Sequence, residues 1–250
     1  MKMPFFVSKI IAKIVGKFAV EPIKTKTMQE ITGSLATAPI AIPAMPEKLP
    51  SLAVTEQQWI DTTQLVIDGV EGGYYHPRMK AGFNAVSQKK LGDSGETMFG
   101  LDRKHGAELA KYPEWKLLWD LVDKAKKERP NEWKYNMRGG MYEKQLKILV
   151  AKLMYKWFQY LAGKYILISS MDEIANDKRL LFHQSYACWN GEKWFKFFAE
   201  ALNKAIQKNE GDKEKIYQEA IKARTQSSNK VIAQQGTNML ALFKKYKITG

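Results

Sequence analysis

MYEKQLKILVAKLMYKWFQYLAG, residues 141–163, is the stretch that decides the fold. Leu146, Leu149, Val150, Leu153, Met154, Trp157, Phe158 and Leu161 recur at i, i+3, i+4 and i+7, an unbroken apolar stripe on one helical face. Such a stripe faces a core, and it needs neighbouring elements to bury it. Helical signals continue on both sides. Toward the C terminus the pattern predicts a helix from Asp172 to about Cys188, a break at Trp189-Asn190-Gly191, and a helix lined by Trp194, Phe195, Phe198 and Leu202. Two more helices are expected at about 212–224 and 228–246. Toward the N terminus, a helix from about Glu114 to Glu128 is preceded by one that Asp102 would cap and that would stop before Pro113. Thr55 and Gln58 fit a capping box, opening a helix with Trp59, Thr63, Val66 and Val70 on its buried face and Gly72-Gly73 as its stop. The segment from Tyr74 to Gly100 lacks a 3.6-residue period, and it reads as a loop or small hairpin. The expected class is mainly α.

The chain has 250 residues, 45% hydrophobic and 26% charged, the balance of a folded globular protein rather than a disordered one. Its 40 basic residues exceed its 26 acidic ones, for a formal charge of +14 and a pI near 9.6. That excess favours anionic partners: nucleic acid, anionic lipid or the acidic polymers of a bacterial envelope. Cys188 is the single cysteine, which excludes an internal disulfide framework and thiolate-rich zinc sites. It sits in an apolar run and reads as a small buried side chain. His76, His105 and His183 lack the spacing of a helical zinc motif. No metal site and no cofactor are expected.

The first twenty residues are a separate signal. Phe5, Phe6, Val7, Ile10, Ile11, Ile14, Val15 and Phe18 recur at helical spacing, while Lys9, Lys13 and Lys17 form one charged stripe. This is a basic amphipathic helix, suited to a membrane surface or a partner and too interrupted to span a bilayer. Residues 21–54 carry Pro22, Pro39, Pro43, Pro46 and Pro50 among Ala, Thr and Ser, and read as an extended linker. The expected organisation is therefore a docking helix (1–20), a linker (21–54) and a helical domain (55–250) whose last helices form an extension (207–250).

The chemistry is carried by Glu71-Gly72-Gly73-Tyr74 and, two dozen residues on, Gly92-Asp93-Ser94-Gly95-Glu96-Thr97-Met98-Phe99-Gly100. Cleaving a glycosidic bond needs a proton donor to the leaving oxygen and a group that stabilises the oxocarbenium-like centre or positions water. A donor must keep its proton near neutral pH. At the end of a helix, Glu71 would meet the negative end of the dipole, and Tyr74, Tyr75 and Trp59 offer an apolar wall to desolvate it. Asp93 is the expected second carboxylate, and Thr97 the hydroxyl that holds water or a sugar. Tyr74, Tyr75, Glu96 and Asn190 are the expected substrate contacts.

Glu71-Gly72-Gly73-Tyr74 and Gly95-Glu96-Thr97-Met98-Phe99-Gly100-Leu101 resemble the EGGY and GGxTxxGI motifs of a phage and bacterial N-acetylmuramidase family, glycoside hydrolase family 108. Asp172-Glu173-Ile174-Ala175, Trp189-Asn190-Gly191 and Ala199-Glu200-Ala201-Leu202-Asn203 resemble the helical second half of that family. The resemblance covers about residues 55–206. It implies a lysozyme-like helical fold with Glu71 as the catalytic acid. The pattern departs from the family at Gly92, which stands where the family carries its aspartate, so that Asp93 is shifted by one position.

On these grounds the expected activity is peptidoglycan hydrolysis at the β-1,4 link between N-acetylmuramic acid and N-acetylglucosamine. The setting would be a phage virion, or the host cytoplasm or envelope before lysis, with residues 5–18 at a membrane surface. A lytic transglycosylase on the same substrate is the nearest rival. A non-enzymatic, membrane-associated virion protein is the rival from another class. Specific nucleic-acid binding is disfavoured, because the lysines are dispersed and no nucleic-acid motif occurs.

Overall fold

A computed structural model describes residues 49–69, 73–75, 96–103, 108–134 and 137–250 of the chain. The expected N-terminal docking helix, the first part of the linker, Glu71 and Asp93 lie outside the described residues. The described elements belong to the compact unit Ala44–Gly250. In chain order they are α1 (Glu56–Gly69), β1 (Tyr74–Tyr75), β2 (Thr97–Met98), β3 (Leu101–Asp102), α2 (Pro113–Glu128), α3 (Pro130–Lys134), α4 (Glu143–Tyr165), α5 (Ile168–Asn176), α6 (Lys178–Trp189), α7 (Glu192–Lys208), α8 (Lys213–Thr225) and α9 (Lys230–Tyr246). The protein is mainly helical, with one small antiparallel sheet of order β1-β2-β3.

α4 is the axis of the domain. Leu146, Val150, Leu153, Met154, Phe158 and Leu161 of its stripe are buried, with Leu149 and Trp157 packed at the margin. α1 packs against α4 and α6, α2 packs against α4, and α7 touches α4, α6 and α8. The tightest of these joints is Trp59 of α1. Its ring stacks on Phe158 with centroids 4.3 Å apart, and its indole N–H donates to the Ala151 carbonyl at 3.0 Å. A buried indole thus gains both its apolar contact and the acceptor its N–H requires.

Local chemistry fixes the helix ends. The capping box at α1 forms as its sequence demands: the Thr55 N–H donates to Gln58 Oε1 at 2.9 Å, and the Gln58 N–H to Thr55 Oγ1 at 3.2 Å. Asn229 caps α9 through the Val231 and Ile232 N–H groups, and Asp212 caps α8 through the Lys215 N–H.

Three boundaries differ from expectation. Pro113 opens α2 instead of stopping a helix before it, because the first helical position has no use for an N–H. Asp102 is a strand residue, not a cap. The helix expected from Asp172 to Cys188 is two helices, α5 from Ile168 and α6 from Lys178. Buried Asp177 separates them by accepting from the Arg179 and Leu180 N–H groups at 2.8 and 3.3 Å, with its charge met by Arg179 Nη2 at 2.8 Å.

The end of the expected linker is also part of the body. Val54 is buried and its carbonyl accepts from the Tyr155 hydroxyl at 2.7 Å. The Pro50 carbonyl accepts from Gln159 Nε2 at 3.1 Å. Gly163 is what lets this segment lie flat on α4, since a Cβ there would come within 2.7 Å of the Pro50 ring. No helix among the described residues is long and apolar enough to cross a membrane.

Phe158→Ala removes the ring on which Trp59 stacks and leaves a cavity at the centre of α4. Denaturant unfolding of this variant is expected to show a loss of about 3–5 kcal/mol, with the slope of the transition unchanged.

Candidate functional site

The site is organised by a two-residue turn. β2 and β3 are joined by Phe99 and Gly100, with φ of 47° and 79°. Two-residue loops match the strand twist as type I′ or II′ turns, both of which need a positive φ at the first residue, here Phe99; with Gly100 also positive, both residues of this turn adopt the left-handed region. Gly100 does so freely, but a bulky side chain at Phe99 does not, so its conformation must be held by what surrounds it. Phe99 is fully buried. Its N–H donates to the Gly73 carbonyl at 3.1 Å, its carbonyl accepts from Trp189 Nε1 at 3.0 Å, and the Arg138 guanidinium lies 5.0 Å from its ring centroid.

These bonds bring the two motifs together. Tyr74 pairs with Met98 and Tyr75 with Thr97 in antiparallel register, so the glycine-tyrosine end of the first motif lies along the threonine of the second. For Tyr74 and Tyr75 this placement concerns the backbone. Glu71 stands two residues from Gly69, the end of α1, and two from Gly73. Thr97 is buried and lies opposite Asp102 of β3, itself buried, so a hydroxyl and a carboxylate occupy facing positions of the sheet. Asp102 was not among the residues expected at the site.

Glu96, an expected substrate contact, is enclosed in ion pairs. Its two carboxylate oxygens face Arg103 Nη1 at 2.6 Å and Lys126 Nζ at 2.5 Å, and its side chain is 13% exposed. Asp123 of α2 completes the group, 3.1 Å from Arg103 and 2.9 Å from Lys126. Burial presses the Asp123 carboxyl upward, but the bonds from Arg103 and Lys126 outweigh it and hold its pKa below the ordinary carboxylate value. Burial presses Lys126 downward, but its bonds to Glu96 and Asp123 hold its pKa above its ordinary value. This network fastens the hairpin to α2 and leaves Glu96 occupied.

Beside the end of α1 lies a cleft of about 400 Å³ between Asp68, the turn 139–141 and the start of α4. A second charge network lines it. Lys147 meets Asp68 at 2.6 Å and Glu143 at 2.5 Å, while Arg138 meets Asp68 at 3.2 Å and donates to the Ile67 carbonyl at 2.7 Å. Burial would raise the Glu143 carboxyl, but bonds from Lys147 and from the Gly139 N–H leave it below the ordinary value. Glu143 is therefore ionised near neutral pH and is no proton donor. The cleft can seat a polar ligand among fixed charges, with Glu143 as an acceptor rather than a proton donor.

Asn190 does not line this cleft. It ends α6, and its Oδ1 accepts from Arg224 Nη1 at 2.9 Å. Arg224 is fully buried; its Nη1 also donates to Gln235 Oε1 at 3.2 Å, and its guanidinium lies 4.0 Å from the Phe198 centroid and 4.7 Å from that of Tyr186. Burial pulls its pKa down to about 10, so it remains a cation at neutral pH. His183, one turn before Tyr186, packs edge-on to the same Phe198 ring at 5.2 Å. Burial first, and the Arg224 charge second, push the His183 pKa well below the ordinary value. Cys188 is buried, as its apolar neighbours suggested, and burial raises its thiol pKa.

Among the described residues no group of three or more His, Cys, Asp or Glu side chains is placed to hold a metal ion. Comparison with known proteins finds no matching family model, no similar curated protein and no similar solved structure.

Because the unfolded chain protonates His183 near pH 6.5 and the native state does not, stability is complete above that pH and falls as pH drops through it. Between pH 6.5 and 5, the wild type is expected to lose up to about 1.4 kcal/mol per pH unit more than His183→Gln, read from denaturant midpoints.

Proposed function

We propose that this chain is a peptidoglycan-degrading glycoside hydrolase, an N-acetylmuramidase acting on the β-1,4 link between N-acetylmuramic acid and N-acetylglucosamine. The observation that carries the reading is the pairing of the two motif segments: the Gly73 carbonyl bonds to the Phe99 N–H, and Tyr75 lies in register with Thr97. A resemblance built on two short motifs gains weight when both belong to one small sheet at the end of the helix that precedes Glu71.

The cleft beside Asp68 supports the same reading, since it opens beside the end of α1 and mixes polar groups, Gln64, Glu143 and Lys147 among them, with the apolar side chain of Met141. In this mechanism Glu71 protonates the leaving oxygen, and Thr97 holds water or a sugar hydroxyl. Asp93 remains the proposed second carboxylate, while Glu96 serves the hairpin through its ion pairs. The lysozyme-like fold, the phage setting and the association of residues 5–18 with a membrane surface belong to this proposal.

The test is Glu71→Gln, which keeps the shape and removes the proton. Digestion of purified peptidoglycan by the wild type should release reducing muropeptides, and the variant should lose activity by 100-fold or more, roughly the contribution of a positioned acid. A folded variant that clears walls at the wild-type rate overturns the assignment. Release of 1,6-anhydro ends instead of reducing ends would make the enzyme a transglycosylase.

A further inference from the structure

We infer that Trp189 is a positioning residue for the hairpin, and that buried Arg224 sets it in place through Asn190. The inference rests in part on the hydrolase reading, since that reading makes the hairpin a catalytic element.

Three observations meet at Trp189. First, its indole N–H donates to the carbonyl of Phe99 at 3.0 Å, across 90 residues of sequence. Phe99 is the residue whose left-handed backbone the β2–β3 turn requires and whose side chain disfavours it. A bond to the carbonyl of a strained residue fixes the peptide plane that follows, and with it the register of Thr97 against Asp102. Second, Trp189 is the last residue of α6 and packs against both hydrophobic clusters of the domain, so its ring is held by more than one body of side chains. Third, the next residue, Asn190, is bonded to Arg224, a guanidinium with no surface exposure.

Arg224 is costly to bury, and replacing it with an apolar residue of similar size would often leave a domain no less stable. Its partners nevertheless converge on one place: the Asn190 amide, the Gln235 amide and the faces of Phe198 and Tyr186. The physical consequence is a fixed end to α6. Fraying at Asn190 would cost the buried guanidinium one of its two acceptors, Gln235 being the other, so the indole one residue earlier keeps its aim. The helices at the C-terminal end thereby reach the hairpin through α8, Asn190 and Trp189, without touching the cleft.

The test compares the full-length wild type with Trp189→Phe, which keeps an aromatic ring and deletes the donor, and Arg224→Met, which keeps length and deletes the bond to Asn190. Amide hydrogen exchange is read in the hairpin (97–103) and in α4, alongside muropeptide release from peptidoglycan. Trp189→Phe should speed hairpin exchange about tenfold, the scale of one hydrogen bond to an otherwise buried carbonyl, and leave α4 protection within about threefold. Arg224→Met should shift the hairpin in the same direction. Muropeptide release should fall through kcat in both variants, with little change in KM. Unchanged hairpin exchange in Trp189→Phe, or equal losses in hairpin and α4, overturns the positioning role. Faster hairpin exchange with wild-type kcat overturns its link to catalysis. A wild type that cleaves nothing overturns the hydrolase reading, while the exchange ratio still decides whether Trp189 holds the hairpin.

Discussion

The backbone of Phe99 is the constraint on which the rest of the site depends. Its φ of 47° is unfavourable for a residue with a large side chain, and the tight turn between β2 and β3 leaves it no alternative. The conformation persists because every group of the residue is engaged. The ring is buried under Arg138, the N–H is held by Gly73, and the carbonyl is held by Trp189. Each partner comes from a different part of the chain, so the turn gathers the start of β1, the segment before α4 and the end of α6 around one residue. A glycine at this position would relieve the strain but remove the ring that Arg138 covers, leaving only the two backbone bonds to hold the junction.

Charge does the second part of the work, through two balanced networks. One binds Glu96 and Asp123 to Arg103 and Lys126, and it holds the hairpin to α2. The other binds Asp68 and Glu143 to Arg138 and Lys147, and it lines the cleft. Arg138 belongs to the second network and also covers Phe99, and Lys147 of the cleft wall lies 6.0 Å from the same ring, so the cleft and the hairpin turn share this network. Such pairing holds the Glu143 carboxyl below its ordinary value, which suits it to a scaffold role.

Much of the fold was legible because helical periodicity is a local signal with a single cause. The stripe from Leu146 to Leu161 and the Thr55–Gln58 box state which face is buried and where a helix begins, and the structure agrees. The misreadings share another cause. Asp102 and Asp177 are both acidic residues able to cap a helix, and only the fold decides that the first enters a strand while the second interrupts a long helical run. Pro113 carried a similar ambiguity, since proline both stops and starts helices. Thr97 was singled out by its motif. Its cross-strand partner Asp102 was not, because the signal that places it opposite Thr97 is the two-residue turn at Phe99-Gly100, and a phenylalanine there disguises the turn.

By itself, then, the sequence determined the helical class, the main boundaries and the two motif segments, all of which follow from spacing along one chain. Only tertiary structure decided that Glu96 is consumed in ion pairs, that Asn190 faces a buried guanidinium, and that Trp189 reaches Phe99. Those contacts join residues 30, 34 and 90 positions apart. No local pattern encodes a partner at such a distance. The partner is chosen by which faces are left to pack once each helix has buried its own stripe.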